Sequence, residues 1–238
     1  MLQKGSVPPL FRDPGDYCSV CHFPKREKVC EVCVEAARSK KRATKEVIAN
    51  RIRLIERLGG WRAYEEYLAD KFRPSAVTKP ALEAALAYDP DKHNLYLWSA
   101  NPGTGKSHLA VAAVRGRIER GLEGRVVKPN ELFREIRATY DEDAKESDRD
   151  VIWKVVRLPI LVVDDLGTQK DTDWNLMCLY DLIDGRYSHR PTGLIVTANL
   201  SLEQAGRRWG ARIASRLEQM CGRLIFDLSL ERDHRRTA

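Results

Sequence analysis

Apolar positions change their spacing several times along the chain, and each change marks an element. Val47, Ile48, Ile52, Ile55 and Leu58 recur at helical spacing, so an amphipathic helix is expected from Glu35 to Leu58, stopped by Gly59-Gly60. A second helix is expected from Trp61 to Phe72, ending before Pro74, with Trp61, Tyr64, Leu68 and Phe72 on one face. That face could stack on single-stranded bases, cover a partner's groove or pack against the preceding helix. Thr78 is expected to cap a short helix reaching Tyr88, and a polar loop follows from Asp89 to Asn94. Short apolar runs then alternate with amphipathic stretches. Strands are expected at 95–99, 125–128, 159–164, 194–198 and 224–228, and helices at 106–120, 130–140, 148–157, 174–187 and 211–220. Asp141 to Asp148 reads as an acidic loop, and Ser201 and Gln204 have the spacing of a capping box that opens a brief helix. Such alternation favours a parallel sheet and an α/β fold. The run from Leu158 to Val163 is apolar throughout, as in a central strand covered on both faces.

Length and composition fit that pattern. A chain of 238 residues, 43% of them hydrophobic, accommodates one α/β domain of about 150 residues and a smaller region before it. No apolar stretch approaches the length of a membrane span, and the N-terminal residues lack a signal-type apolar segment. A cytoplasmic protein with no membrane partner is therefore expected. The net charge of +7 is concentrated between His22 and Arg57, where eleven lysines and arginines face five glutamates. A cluster like this attracts phosphate backbones or acidic partners, or forms a solvated helix face.

Two segments carry candidate chemistry. Strand 95–99 runs into Ala100-Asn101-Pro102-Gly103-Thr104-Gly105-Lys106-Ser107 and then into a helix beginning with His108. Strand, glycine loop and helix in this order build a cradle whose backbone N–H groups point at phosphate oxygens. Lys106 is expected to reach the β- and γ-phosphates of ATP, and the Ser107 hydroxyl to ligate Mg²⁺. Ala100 stands where the first glycine of this loop is usual; Gly103 and Gly105 still free the backbone where it meets the ligand. The second segment is the apolar run ending in Asp164-Asp165. Carboxylates at the carboxyl end of a parallel strand sit where ligands bind in open sheets. Asp164 is expected to hold Mg²⁺ and Asp165 to act as general base toward an attacking water.

Cys18, Cys21, Cys30 and Cys33 form two Cys-x-x-Cys pairs separated by eight residues, a spacing that suits one closed tetrahedral Zn²⁺. A cytoplasmic setting argues against disulfides, and a redox motif would need one pair at a strand–helix junction. His22 adjoins Cys21 as a possible substitute ligand. Cys178 and Cys221 fall in predicted helices and read as core or helix-end residues.

The runs Asn101 to Ala110, Leu161 to Gly167, Thr197 to Ser201 and Arg212 to Leu217 resemble those of AAA+ ATPases, more narrowly the DnaC-type helicase loaders and the related IstB-type transposition helpers. The resemblance covers roughly residues 70–232. It implies a P-loop AAA+ core with a five-stranded parallel sheet over 76–238, before which the cysteine pairs and the charge pattern place a zinc module (1–35) and a basic helical linker (36–75). Few residues follow the last strand, so the usual helical lid is expected to be absent. Asn101, Pro102, Gly103, Thr104, Gly105, Lys106, Ser107, His108 and Asp164 match the nucleotide site. Asn199 matches the residue that senses the γ-phosphate or the attacking water, and Arg216, with Arg212 one turn earlier, matches an arginine finger acting on a neighbouring subunit. Asp165 departs from the glutamate usual in the wider family. The resemblance implies a slow, assembly-dependent ATPase that loads the replicative DNA helicase. It would grip that helicase through its N-terminal region and bind single-stranded DNA as an ATP-bound self-oligomer. A transposition helper acting on duplex DNA with a transposase, and a non-hydrolytic nucleic-acid adaptor, are the alternatives.

Overall fold

The structure, a computed structural model, describes residues 31–190 and 192–234. The chain divides into two compact units between Arg53 and Leu54. The described part of the first unit belongs to helix α1 (Glu31–Arg57), which starts four residues earlier than the sequence pattern predicts. Val47, Ile48 and Ile52, expected to form one stripe with Ile55 and Leu58, are half or more exposed. Leu58 alone of that set is fully buried, within the second unit. Gly59 ends α1 at a φ of 80°, and the Gly60 N–H returns to the Ile55 carbonyl (2.8 Å), the arrangement that glycine makes possible after a helix.

In the second unit the elements follow as α2 (Trp61–Glu66), α3 (Lys79–Leu86), β1 (Leu95–Trp98), α4 (Lys106–Glu119), β2 (Gly124–Val127), α5 (Pro129–Ala138), α6 (Asp148–Val156), β3 (Ile160–Leu166), α7 (Asp173–His189), β4 (Leu194–Ala198), α8 (Leu202–Trp209), α9 (Ala211–Cys221) and β5 (Ile225–Asp227). The strands form one parallel sheet in the order β2-β3-β4-β1-β5. Period-two alternation sends Leu95, Leu97, Ile160 and Val162 to one face and Tyr96, Leu161 and Val163 to the other. The first face packs on α3 and α4, the second on α5 to α9, so the central strands are covered on both sides as their composition requires. Cys178 and Cys221 are buried free thiols.

Two expectations need correction. The helix predicted over 61–72 breaks after Glu66: Leu68 is extended, and Ala69–Lys71 forms one 3₁₀ turn. Donors from α4 take the carbonyls that a continuous helix would use. His108 Nε2 bonds the Leu68 carbonyl (2.6 Å), and Arg115 donates to that of Tyr64 while its guanidinium covers the Tyr64 ring at 4.5 Å. Thr78 stands at the start of α3 without capping it. Its Oγ1 instead accepts the Ser75 N–H (2.9 Å), closing the preceding turn. The capping box at Ser201–Gln204 is present, and Ser147–Asp150 forms another at α6.

Candidate functional site

Because β4 lies between β3 and β1, three strand ends that carry polar residues stand side by side. β1 runs into the glycine loop, β3 carries Asp164 and Asp165 just before its last residue, and Asn199 follows β4. They open into a cleft of about 1040 Å³ that also receives Arg62, Lys71, Arg73 and Lys128.

Residues 99–105 turn from β1 into α4. Gly103 and Gly105 have φ of 70° and 89°, the left-handed region that glycine enters without strain. A Cβ on Gly105 would come within 2.6 Å of Phe72 Cε2, and one on Gly103 would collide with the Asp233 carboxylate. The loop therefore has no room for side chains on either flank. Lys106 folds back over it, its Nζ donating to the Asn101 carbonyl (3.1 Å) and approaching that of Ser99 (3.4 Å). An ammonium so placed can exchange loop carbonyls for phosphate oxygens. Asn101 Nδ2 binds the Ser229 carbonyl (2.8 Å), and the His234 N–H binds that of Gly103 (3.1 Å), so the segment after β5 lies against the loop. His108 lines the same cleft. Its ring stacks on Tyr67 (5.2 Å), meets Phe72 edge-on (5.1 Å), and burial lowers its pKa.

The end of β3 is irregular. Val163 pairs with Val196 and Leu166 with Ala198, so Asp164 and Asp165 together oppose Thr197, a β-bulge. Asp165 has a φ of 64°, the one described non-glycine residue with a positive φ. Aspartate tolerates this region better than most side chains. Asp164 is buried at 8% exposure, and Thr197 Oγ1 donates to its Oδ1 (2.7 Å). Burial raises the Asp164 pKa; the Thr197 and Ser107 hydroxyls act against this, Asp165 adds to the rise and Lys128 opposes it. A buried carboxyl whose charge its neighbours do not compensate is a place where a hard cation would be stabilised. Ser107 and Asp164, both oxygen donors, fit Mg²⁺ in this way. Among the described residues no group of three or more histidine, cysteine, aspartate or glutamate side chains is gathered as metal ligands would be. Asn199 lines the cleft, and its buried Oδ1 has no hydrogen-bond partner; Gly167, at a φ of 107°, makes room for it.

Arg212 and Arg216 are not brought to this cleft. They line a separate hollow on α9 with Tyr187, Ser215 and Gln219. Arg216 pairs with Asp184 (2.5 Å) and lies over the Tyr180 and Tyr187 rings (5.0 and 5.6 Å). The expected zinc ligands Cys18, Cys21 and Cys30, and the side chain of Cys33, lie outside the described residues. Sequence reasoning missed the bulge, the Thr197 contacts and the covering of the loop by Phe72 and Asp233. Each depends on pairing across the sheet or on contacts between distant segments, which leave no local pattern.

A central parallel sheet in this strand order, with a glycine-loop cradle beside paired carboxylates, defines a P-loop protein of the AAA+ type. The chain belongs to the family of IstB-like ATP binding proteins, whose model matches residues 35–225. It is 25% identical over 123 residues to the replicative helicase loader DnaC of Escherichia coli strain K12, covering 51% of this chain and 49% of that protein. It is 29% identical over 131 residues to the uncharacterized protein YdaV of the same strain, covering 55% and 51% respectively. The chain thus spans about half the length of the curated relatives it matches. Among solved structures, that of the DnaC helicase loader superposes with a TM-score of 0.59 at 25% identity, covering 70% of this chain and 99% of that one. AMPPCP-bound DnaA from Aquifex aeolicus, at 16% identity and a TM-score of 0.57 over 72% and 52% of the two chains, shares the fold. Among the described residues no helix is long and apolar enough to cross a membrane.

Proposed function

We propose that this protein hydrolyses ATP in the cleft between the glycine loop and the bulged carboxylates, and uses that cycle to load a replicative DNA helicase. The observation that carries the reading is the placement of Lys106, Ser107, Asp164, Asp165 and Asn199 around one cleft on three adjacent strand ends. The N–H groups of 103–107 bind the triphosphate at the start of α4. Lys106 leaves the loop carbonyls for the β- and γ-phosphates. Asp165 accepts a proton from the attacking water, and the free amide oxygen of Asn199 orients that water. Ser107 and Asp164 would hold Mg²⁺, which when bound would supply charge neutralisation at the phosphate oxygens. Arg216 leaves Asp184 to act on the nucleotide of an adjacent subunit, so turnover is slow until copies assemble. The loader role draws on the likeness to DnaC, with single-stranded DNA held by the ATP-bound oligomer and the N-terminal region, stabilised by zinc on Cys18, Cys21, Cys30 and Cys33, gripping the helicase.

The alternative raised by the resemblance to IstB-type helpers, with which a match to IstB-like ATP binding proteins is compatible, is a transposition helper that binds duplex DNA and a transposase. Capture of the host hexameric helicase by the full chain separates the two. Capture lost on zinc chelation supports the loader. Failure to capture it with or without ATP, together with duplex-DNA filaments in ATP, supports the helper. Lys106→Ala tests both: ATP binding is expected to fall below detection at concentrations that saturate wild type, and wild-type affinity in this variant removes the nucleotide site as drawn.

A further inference from the structure

Thr197 is fully buried at the end of β4, and its hydroxyl makes two hydrogen bonds to adjacent residues of β3. Oγ1 accepts the Asp165 N–H (2.8 Å) and donates its one hydrogen to Asp164 Oδ1 (2.7 Å). A hydroxyl has one donor and two acceptor positions, so both bonds form at once and their direction is fixed. We propose that Thr197 is a positioning residue for the two carboxylates, holding the Asp165 backbone and the Asp164 side chain in the geometry that the phosphate site requires. This rests on the ATP-hydrolysis reading of the cleft.

The bulge creates the need. Where two residues oppose one, the extra residue drops out of the ladder and its backbone polar groups need other partners. The Asp165 N–H finds Thr197. Left without a partner in a partly buried place it would destabilise the positive φ that Asp165 adopts. The same hydroxyl occupies one Asp164 oxygen and, together with the Ser107 hydroxyl that also bonds this carboxyl, holds it in one orientation at the cleft. The γ-methyl of threonine limits χ1, which a serine would not. No other protein side chain donates to Asp164 Oδ1 or accepts from the Asp165 N–H among the hydrogen bonds of the described residues, apart from the Ser107 hydroxyl beside the Asp164 carboxyl. A purely structural threonine would affect melting but not the cation site selectively.

The test uses the full chain with Thr197→Val, Thr197→Ser, Asp164→Asn and Lys106→Ala. Three quantities are read: Mn²⁺ affinity in the presence of a non-hydrolysable ATP analogue by electron paramagnetic resonance, hydrogen exchange of the peptide containing Asp165, and ATP turnover. Thr197→Val is expected to weaken Mn²⁺ binding and turnover by about 10- to 100-fold, the usual effect of losing a hydrogen-bond partner of a metal ligand. It is also expected to speed Asp165 exchange, with analogue affinity in the absence of divalent cation unchanged. Thr197→Ser restores most of both. If Thr197→Val melts below the assay temperature, Thr197→Cys, a weak donor of similar size, replaces it. Wild-type Mn²⁺ affinity in Thr197→Val, with affinity lost in Asp164→Asn, overturns the positioning role alone. Wild-type Mn²⁺ affinity in both, with turnover kept in Lys106→Ala, overturns the reading of the cleft and this role with it.

Discussion

Asp165 holds a backbone conformation that glycine adopts at lower cost. Asp165→Gly is therefore expected to leave stability unchanged or raise it by up to about 1 kcal/mol, while turnover is lost with the carboxylate. Asp165→Ala loses the same carboxylate and keeps the strain, so its stability should not rise. Chemical denaturation of the two variants checks this, and a loss above about 1 kcal/mol in the glycine variant would show that the positive φ carries no strain. The conformation also bears on residue choice: aspartate enters this region more readily than longer side chains. Sequence alone placed Asp164 and Asp165 at the end of a buried strand, because an apolar run closed by charge is a local pattern. It could not place their partner, since Thr197 lies 32 residues beyond Asp165 and meets it only through strand pairing. Gly167 is similar: besides its φ of 107°, which favours glycine, the room it leaves is taken by Asn199, which follows the neighbouring strand.

Elements followed the sequence where their signals were self-contained. The five strands and α4 to α9 stand within a few residues of their expected positions, because periodicity and end signals determine them. The stretch from Trp61 to Phe72 did not, because its course is decided by the face of α4 that it meets. There the aromatic stripe is divided. Trp61 is exposed, while Phe72 packs on Gly105 and His108. Of the three readings open from sequence, packing applies to Phe72, though against α4 instead of the preceding helix. Phe72→Ala is expected to cost about 3 kcal/mol by opening a cavity beside the phosphate loop, and to weaken ATP binding through the loop's lost support. Thermal melts with and without ATP check both effects. An intact ATP-induced shift in a destabilised variant would mean that the ring stabilises the fold without shaping the loop.

The sheet, its two covered faces and the cleft at the strand ends belong to one compact unit, and its two distant ends of sequence meet at the phosphate loop. Phe72 supports the loop from one flank, and residues 229–234 lie along the other. Asp233 brings a carboxylate against Gly103, where a triphosphate would add like charge. Asp233→Asn is expected to tighten ATP binding about fivefold, the effect of removing roughly 1 kcal/mol of repulsion, and to leave adenosine binding unchanged. Equal affinity for ATP in both proteins, by calorimetric titration, would show that Asp233 gives way when the nucleotide enters. The position of His234 has a practical side as well. Its N–H holds the Gly103 carbonyl from outside the loop, so the backbone at His234 acts as a tie on the rim of the site. A nucleotide titration on a variant cut back before His234 will therefore describe the loop without that tie, and comparing it with the full chain separates what the loop does alone from what its neighbour lends it.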